Sequence, residues 1–209
     1  MLNMLPNELL LLIAEINPTS FAAIRSVSKD IRNYTNEHMD KYKKKFLIKI
    51  EREDENGYRG KYFQFPNGDY HGLFQIWCET GQLLLQCTYN NGVKHGLYQE
   101  WHKNGQLETQ FSYLNGKIVG IYQKWYDNGQ LDEQCNFENG KRNGLHQSWL
   151  EDGRLEEQCI YINGNREGLY QKWSHDIEEH YKEGFYVDGK LDGSYRWYDN
   201  GLFMQQVHM

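Results

Sequence analysis

The chain has 209 residues with a net charge of −6, 39% hydrophobic and 15% aromatic residues, and 20 glycines against 3 prolines. That length supports a real core, and many glycines with few prolines suit tight turns rather than disorder. Residues 1–50 carry eight Lys/Arg against five Asp/Glu, and the rest fifteen against twenty-four; so acidic a body argues against a nucleic-acid groove and against binding an anionic membrane.

The N-terminal segment reads as short helices. Pro6 in "LPNELLLLIAEI" suits a first helical turn, and Leu9, Leu12, Ile13 and Ile16 follow at three-to-four spacing. Asn17-Pro18 stops that helix, and Thr19 or Ser20 can cap a second that presents Phe21, Ile24 and Val27. A third, from about Lys29, carries Ile31 and Tyr34. The apolar run 9–14 is bracketed by Glu8 and Glu15 and lacks a basic leader, and no run is long enough to cross a bilayer. A soluble, intracellular and cytoplasmic protein is therefore expected. The cluster "KYKKKF" at 41–46 reads as a solvated helix end.

This bundle, residues 1–45, resembles an F-box. Leu5, Pro6 and Glu8 match the opening Leu-Pro-x-Glu, Leu9, Leu10 and Ile13 the apolar run, and Val27, Ser28 and Lys29 the closing Val-Ser-Lys/Arg, with Ile31 where an aromatic is usual. The resemblance implies docking on the small adaptor subunit of a cullin–RING ubiquitin ligase through Leu5, Pro6, Glu8, Leu9, Leu12 and Ile13. A purely structural role, capping the open edge of a repeat sheet, is the alternative and is compatible with it.

From residue 46 to 209 the chain repeats. Trp77, Trp101, Trp125, Trp149, Trp173 and Trp197 fall at intervals of 24. Gly72, Gly96, Gly120, Gly144 and Gly168 precede their tryptophans by five, and Leu83, Leu107, Leu131 and Leu155 follow by six. Gln86, Gln110, Gln134 and Gln158 each precede Cys87, Phe111, Cys135 or Cys159, and then come Tyr89, Tyr113, Phe137 and Tyr161. Two apolar runs joined by Asn-Gly read as a β-hairpin. A degenerate first hairpin begins near Phe46, with its turn at Asn56-Gly57, so an antiparallel meander of about seven hairpins and fourteen strands is expected.

A three-residue loop with glycine in the left-handed region sets Trp125 opposite Leu131 and Ile121 opposite Cys135. On that register the Leu, Gln and Trp of one strand share a face with the Leu, Cys and Tyr of the next. Tyr98, Tyr122 and Tyr170 are then expected on the opposite face, among charges such as Glu108, Asp132 and Glu156. The fifth tryptophan unit is irregular: "SHDIEEHYKEGFYVDG" lacks Asn-Gly, and one residue is lost between Gly193 and Trp197. The periodicity resembles MORN repeats, in the wording "GLYQxWxxNGQL" of their bacterial and viral variant; combination with an F-box is similar to proteins of large DNA viruses, which would act in the host cytoplasm.

No catalytic, cofactor or metal site is expected. The cysteines form no C-x-x-C pair, and equivalent slots in adjacent hairpins lie about 9–10 Å apart, too far for a disulfide. They read as core thiols, His71 and His95 as surface histidines, and Asp132-Glu133 and Glu156-Glu157 as solvated acids. Three functions compete. One is an adaptor that recruits a target protein to the ligase through the repeat sheet. Another is a scaffold or homodimer packed through that sheet. The third is lipid binding through Lys41–Lys45 and aromatics. For the first two, the six tryptophans with Tyr98, Tyr122 and Tyr170 are the candidate packing or partner-binding residues.

Overall fold

The computed structural model describes residues 47–65, 67–174, 180–199 and 202–208. The chain divides into two units, 1–47 and 48–209. The expected helices, and with them Leu5, Pro6, Glu8, Leu9, Leu12 and Ile13, lie outside the described residues. The described part of the second unit is one antiparallel meander sheet of 16 strands. Its first half holds β1 (Ile48–Glu53), β2 (Arg59–Gln64), β3 (Tyr70–Trp77), β4 (Leu83–Asn90), β5 (Val93–Lys94), β6 (Gly96–Trp101), β7 (Leu107–Leu114) and β8 (Lys117–Trp125). The second half holds β9 (Leu131–Glu138), β10 (Lys141–Trp149), β11 (Leu155–Ile162), β12 (Asn165–Ser174), β13 (His180–Val187), β14 (Lys190–Leu191), β15 (Ser194–Asp199) and β16 (Leu202–His208). Strands follow in chain order, with the short β5 and β14 pairing only β4 and β13. The rest form seven hairpins, and the degenerate first one pairs β1 with β2 around a turn at Gly57.

Two kinds of turn alternate, and the sequence explains each. Asn91-Gly92, Asn115-Gly116, Asn139-Gly140, Asn163-Gly164 and Asp188-Gly189 have positive φ at both positions, as a two-residue hairpin turn requires. The glycine N–H of each reaches back to the preceding repeat, as from Gly116 to the Lys94 carbonyl at 2.9 Å and from Gly140 to that of Ile118 at 2.9 Å. These bonds tie each hairpin to the last. The tips after the tryptophans are three-residue loops: Tyr126 N–H bonds the Gln130 carbonyl, Gly129 N–H bonds that of Tyr126, and only the glycine has positive φ. Trp125 pairs with Leu131 as expected.

Beyond that pair the register differs from expectation. Lys124 pairs with Glu133, so Asp132 is an extra residue on β9. Leu84, Glu108 and Glu156 are the equivalent insertions on β4, β7 and β11. One inserted residue exchanges the faces of everything that follows. Cys135 therefore opposes Tyr122, and Ile121 opposes Asn136. The expected placement of Tyr98, Tyr122 and Tyr170 across the sheet from the cysteines is thus corrected: they share the cysteines' face, and the Leu/Ile row takes the other.

The fifth unit has no such insertion. β12 and β13 pair without a shift from Gly168–Tyr186 to Ser174–His180, and residues 175–179 between them lie outside the described residues. The residue lost before Trp197 also exchanges faces. Trp197 pairs with Lys182, on the side of Tyr170, whereas Gln123 and Trp125 alternate onto the opposite side. The six tryptophans are therefore not one row: five share a face and Trp197 is on the other.

Candidate functional site

The sheet presents two chemically distinct faces. One carries a row of nine glutamines in register on nine consecutive strands: Gln75, Gln86, Gln99, Gln110, Gln123, Gln134, Gln147, Gln158 and Gln171. Their side-chain amides bond across strands. Gln75 donates to Gln86 at 2.7 Å, Gln99 to Gln110 at 2.8 Å and Gln123 to Gln134 at 2.9 Å. An in-register amide ladder satisfies a donor and an acceptor in each bonded pair of half-buried side chains. The row extends into Lys61 and Glu51 at one end and Glu183 and Arg196 at the other.

Beside the ladder runs a row of exposed apolar side chains. Leu73, Leu97, Ile121, Leu145 and Leu169 alternate with the first-strand glutamines, two residues before each. Ile160 and Phe185 fill the row on β11 and β13, and Ile121 is 62% and Leu145 52% exposed. Trp77, Trp101, Trp125, Trp149 and Trp173 lie on the ladder's far side and are half-buried. This face is a long apolar and amide surface, with a glutamine on each of the nine strands and, from Trp77 to Trp173, one first-strand aliphatic and one tryptophan per hairpin at a spacing of about 9–10 Å.

The other face carries the core. Tyr98, Phe111 and Cys87 are buried together, with Tyr113 and Tyr122 packed against them, and Tyr98 stacks on Phe111 at 4.7 Å between centroids. Further along, Cys159, Tyr161 and Tyr170 form a second cluster with Tyr186 and Tyr195. Cations roof both clusters: Lys94 lies 4.7 Å from the Tyr98 ring and Arg166 4.7 Å from the Tyr170 ring. Burial, with Glu100 beside it, pushes the Tyr98 hydroxyl far above its ordinary range, and burial beside Glu157 does the same to Tyr170. Tyr98, Tyr122 and Tyr170 are packing residues, not a free binding surface.

Between the clusters the aromatic chain is interrupted by His146, which occupies the slot of Tyr98, Tyr122 and Tyr170. It is 6% exposed and opposes Cys135 on β9 and Cys159 on β11. Its Nε2 donates to Glu133 at 3.1 Å, and Glu133 is also bonded by Arg142 at 2.5 Å. Its Nδ1 lies 3.9 Å from the Cys159 sulfur. Glu157 completes the group, held by Arg166 at 3.1 Å and the Tyr170 hydroxyl at 2.9 Å. Burial opposes a charge on His146, but Cys159 and Glu133 outweigh it and raise its pKa to about 9. The hydrogen bond from His146, against the opposing effect of burial, holds Glu133 below the usual carboxylate range. The ligand atoms of His146, Glu157 and Cys159 lie within 4.8 Å of one another, so these three could hold a metal ion.

Sequence reasoning missed this cluster. It expected core thiols and solvated acids, and the face exchange brings His146 onto the side of Cys159, Glu133 and Glu157. The available signal was a histidine at a position where neighbouring repeats place Phe74, Tyr98, Tyr122 and Tyr170. His71 and His95, expected at the surface, are half-buried, and His95 Nδ1 is a buried atom without a hydrogen-bond partner.

Residues 70–91, 94–117 and 118–139 match the family model of the MORN repeat variant. The match covers three repeats; β10–β11 repeats their one-residue shift beside the tryptophan, whereas β1–β2 and β12–β13 pair without one. No curated protein matches the chain. Similarity to these repeats points to a protein-interaction or membrane-binding role. No helix among the described residues is long and apolar enough to cross a membrane.

Proposed function

We propose that the chain is a non-enzymatic interaction protein whose ladder face captures a target protein. The observation that carries this reading is the row of exposed aliphatics beside the glutamine ladder. Exposed aliphatics recurring along one face to this extent, beside a self-paired amide ladder, are what interfaces offer and monomer surfaces avoid. In the finer form of the proposal, residues 1–45 recruit the small adaptor subunit of a cullin–RING ligase. That half rests on the F-box resemblance of Leu5, Pro6, Glu8, Leu9, Leu12 and Ile13.

Capture from cell extract tests the two halves separately. Wild type is expected to retain the adaptor subunit and a target. Pro6→Ala with Leu9→Ala loses the adaptor alone, and Ile121→Lys with Leu145→Lys loses the target alone. Adaptor left in the flow-through by wild type overturns the ligase half. Capture of the same proteins by the lysine variant overturns the ladder-face half. A second copy covering the same row is the other reading, favoured by the self-similarity of the face, and a strict monomer in sedimentation at micromolar concentration removes it.

A further inference from the structure

We propose that His146, Glu157 and Cys159 form a binding site for a zinc-class divalent metal ion on the core face of the sheet, oriented from outside by Glu133. The site is independent of the interaction surface, which lies on the other face.

Four observations carry it. The donor set is one imidazole nitrogen, one thiolate sulfur and one carboxylate oxygen, the mixed set that zinc accepts. The spacing fits: Zn–S of about 2.3 Å and Zn–N of about 2.0–2.1 Å at a tetrahedral angle set N···S at about 3.6 Å. The Cys159 sulfur and His146 Nδ1 lie 3.9 Å apart. The third is orientation. His146 donates its Nε2 proton to Glu133, which leaves Nδ1 as the metal-facing nitrogen. A carboxylate on the outer nitrogen is the usual partner of a metal-bound histidine, and Arg142 holds that carboxylate in place. Finally, the group occurs once among the described repeats. The paired slots hold Tyr98 with Phe111, Tyr122 with Cys135 and Tyr170 with Gly184 elsewhere, so the packing of the sheet does not demand a histidine facing a cysteine.

Binding would displace the protons on His146 Nδ1 and the Cys159 thiol, which pass to solvent, and leave a fourth coordination position for water. Arg166 and Tyr170 fix Glu157 through its two oxygens, each of which keeps a lone pair for the ion.

The full chain, stripped of metal with a chelator, is titrated with Zn²⁺ by calorimetry and with Co²⁺ by absorption. One equivalent per chain is expected, with a sulfur-to-cobalt charge-transfer band in the near ultraviolet. His146→Tyr restores the residue of the neighbouring repeats, so the sheet keeps its fold, shown by unchanged circular dichroism, while the site disappears. Cys159→Ser removes the charge-transfer band, and Cys87→Ser, at the same slot three hairpins away, leaves it. Glu133→Gln weakens Zn²⁺ about 10–100-fold. Failure of the metal-free wild type to bind Zn²⁺ overturns the proposal, as does binding of equal affinity in the His146→Tyr protein.

Discussion

Leu97 and Tyr98 are chain neighbours on opposite faces, so their substitution separates the observed register from the slipped one. Tyr98 is 8% exposed, with Phe111 at 4.7 Å, Tyr113 at 5.9 Å and Lys94 at 4.7 Å around its ring. Truncating a buried aromatic costs about 3–5 kcal/mol, of which each ring pair supplies about 0.5–1.5. Leu97 is 47% exposed. Full burial of a leucine stabilises by about 1.5–3 kcal/mol, so the half-exposed Leu97 forfeits about 1.5 kcal/mol or less on change to Ala. The assay is urea denaturation of the full chain. Slopes of about 1–3 kcal/mol per molar place the Tyr98→Ala midpoint at least about 1 M lower, with Leu97→Ala displaced by about half of that or less. The slipped register, with Leu97 against Phe111, predicts the reverse order. Equal costs, or a larger one at Leu97, would refute the face assignment and the placement of the exposed aliphatic row that rests on it.

The turns, the ladder and the histidine give further outcomes. Gly116 has φ of +79° and a Cβ there would lie 3.1 Å from Val93, so Gly116→Ala costs about 1–2 kcal/mol in the same denaturation assay, while Asn115→Gly is nearly neutral. Gln123→Ala strands the Gln134 amide and costs about 1 kcal/mol, and the Gln123→Leu, Gln134→Leu pair costs less than its two single changes together, a coupling read by a double-mutant cycle. His146 faces Glu133, Arg142, Glu157, Cys159 and the Tyr161 ring, and its folded pKa of about 9 stands above the ordinary 6.5. Its contribution to stability is therefore complete below about pH 6.5 and lost as pH rises through 9. Metal-free wild type should lose stability across that window relative to His146→Tyr, and NMR titration of the imidazole should report the same midpoint. Glu133 acts in the opposite sense, stabilising above the ordinary carboxylate value of 4.5 and ceasing to do so on acidification.

The hairpins, their number, the three-residue tips and the Trp125–Leu131 pair were legible because each rests on local chemistry: a glycine that takes positive φ, or an apolar pair beside a turn. The faces were not, because they depend on Asp132 and its equivalents Leu84, Glu108 and Glu156. A residue inserted into a strand carries no turn signature, and three of these four are acids of the kind that also decorate open strands. The glutamines held the missing information. Gln99 and Gln110, or Gln123 and Gln134, fall into one row only when an extra residue is admitted on the second strand, and the amides gain their mutual bonds only in that row. The same logic explains why the unit around residue 146 carries chemistry that its neighbours do not. A repeat sheet fixes what each slot must be for packing, so a tyrosine there needs no further cause. A histidine replacing it gives up ring area that a second cluster could have used, and it calls for Glu133 and Cys159 around it to hold its charge against the like charge of Arg142. The equivalent slots pack without an imidazole, so the proposed ion, held through His146 and Cys159, is the role that the exchange would serve.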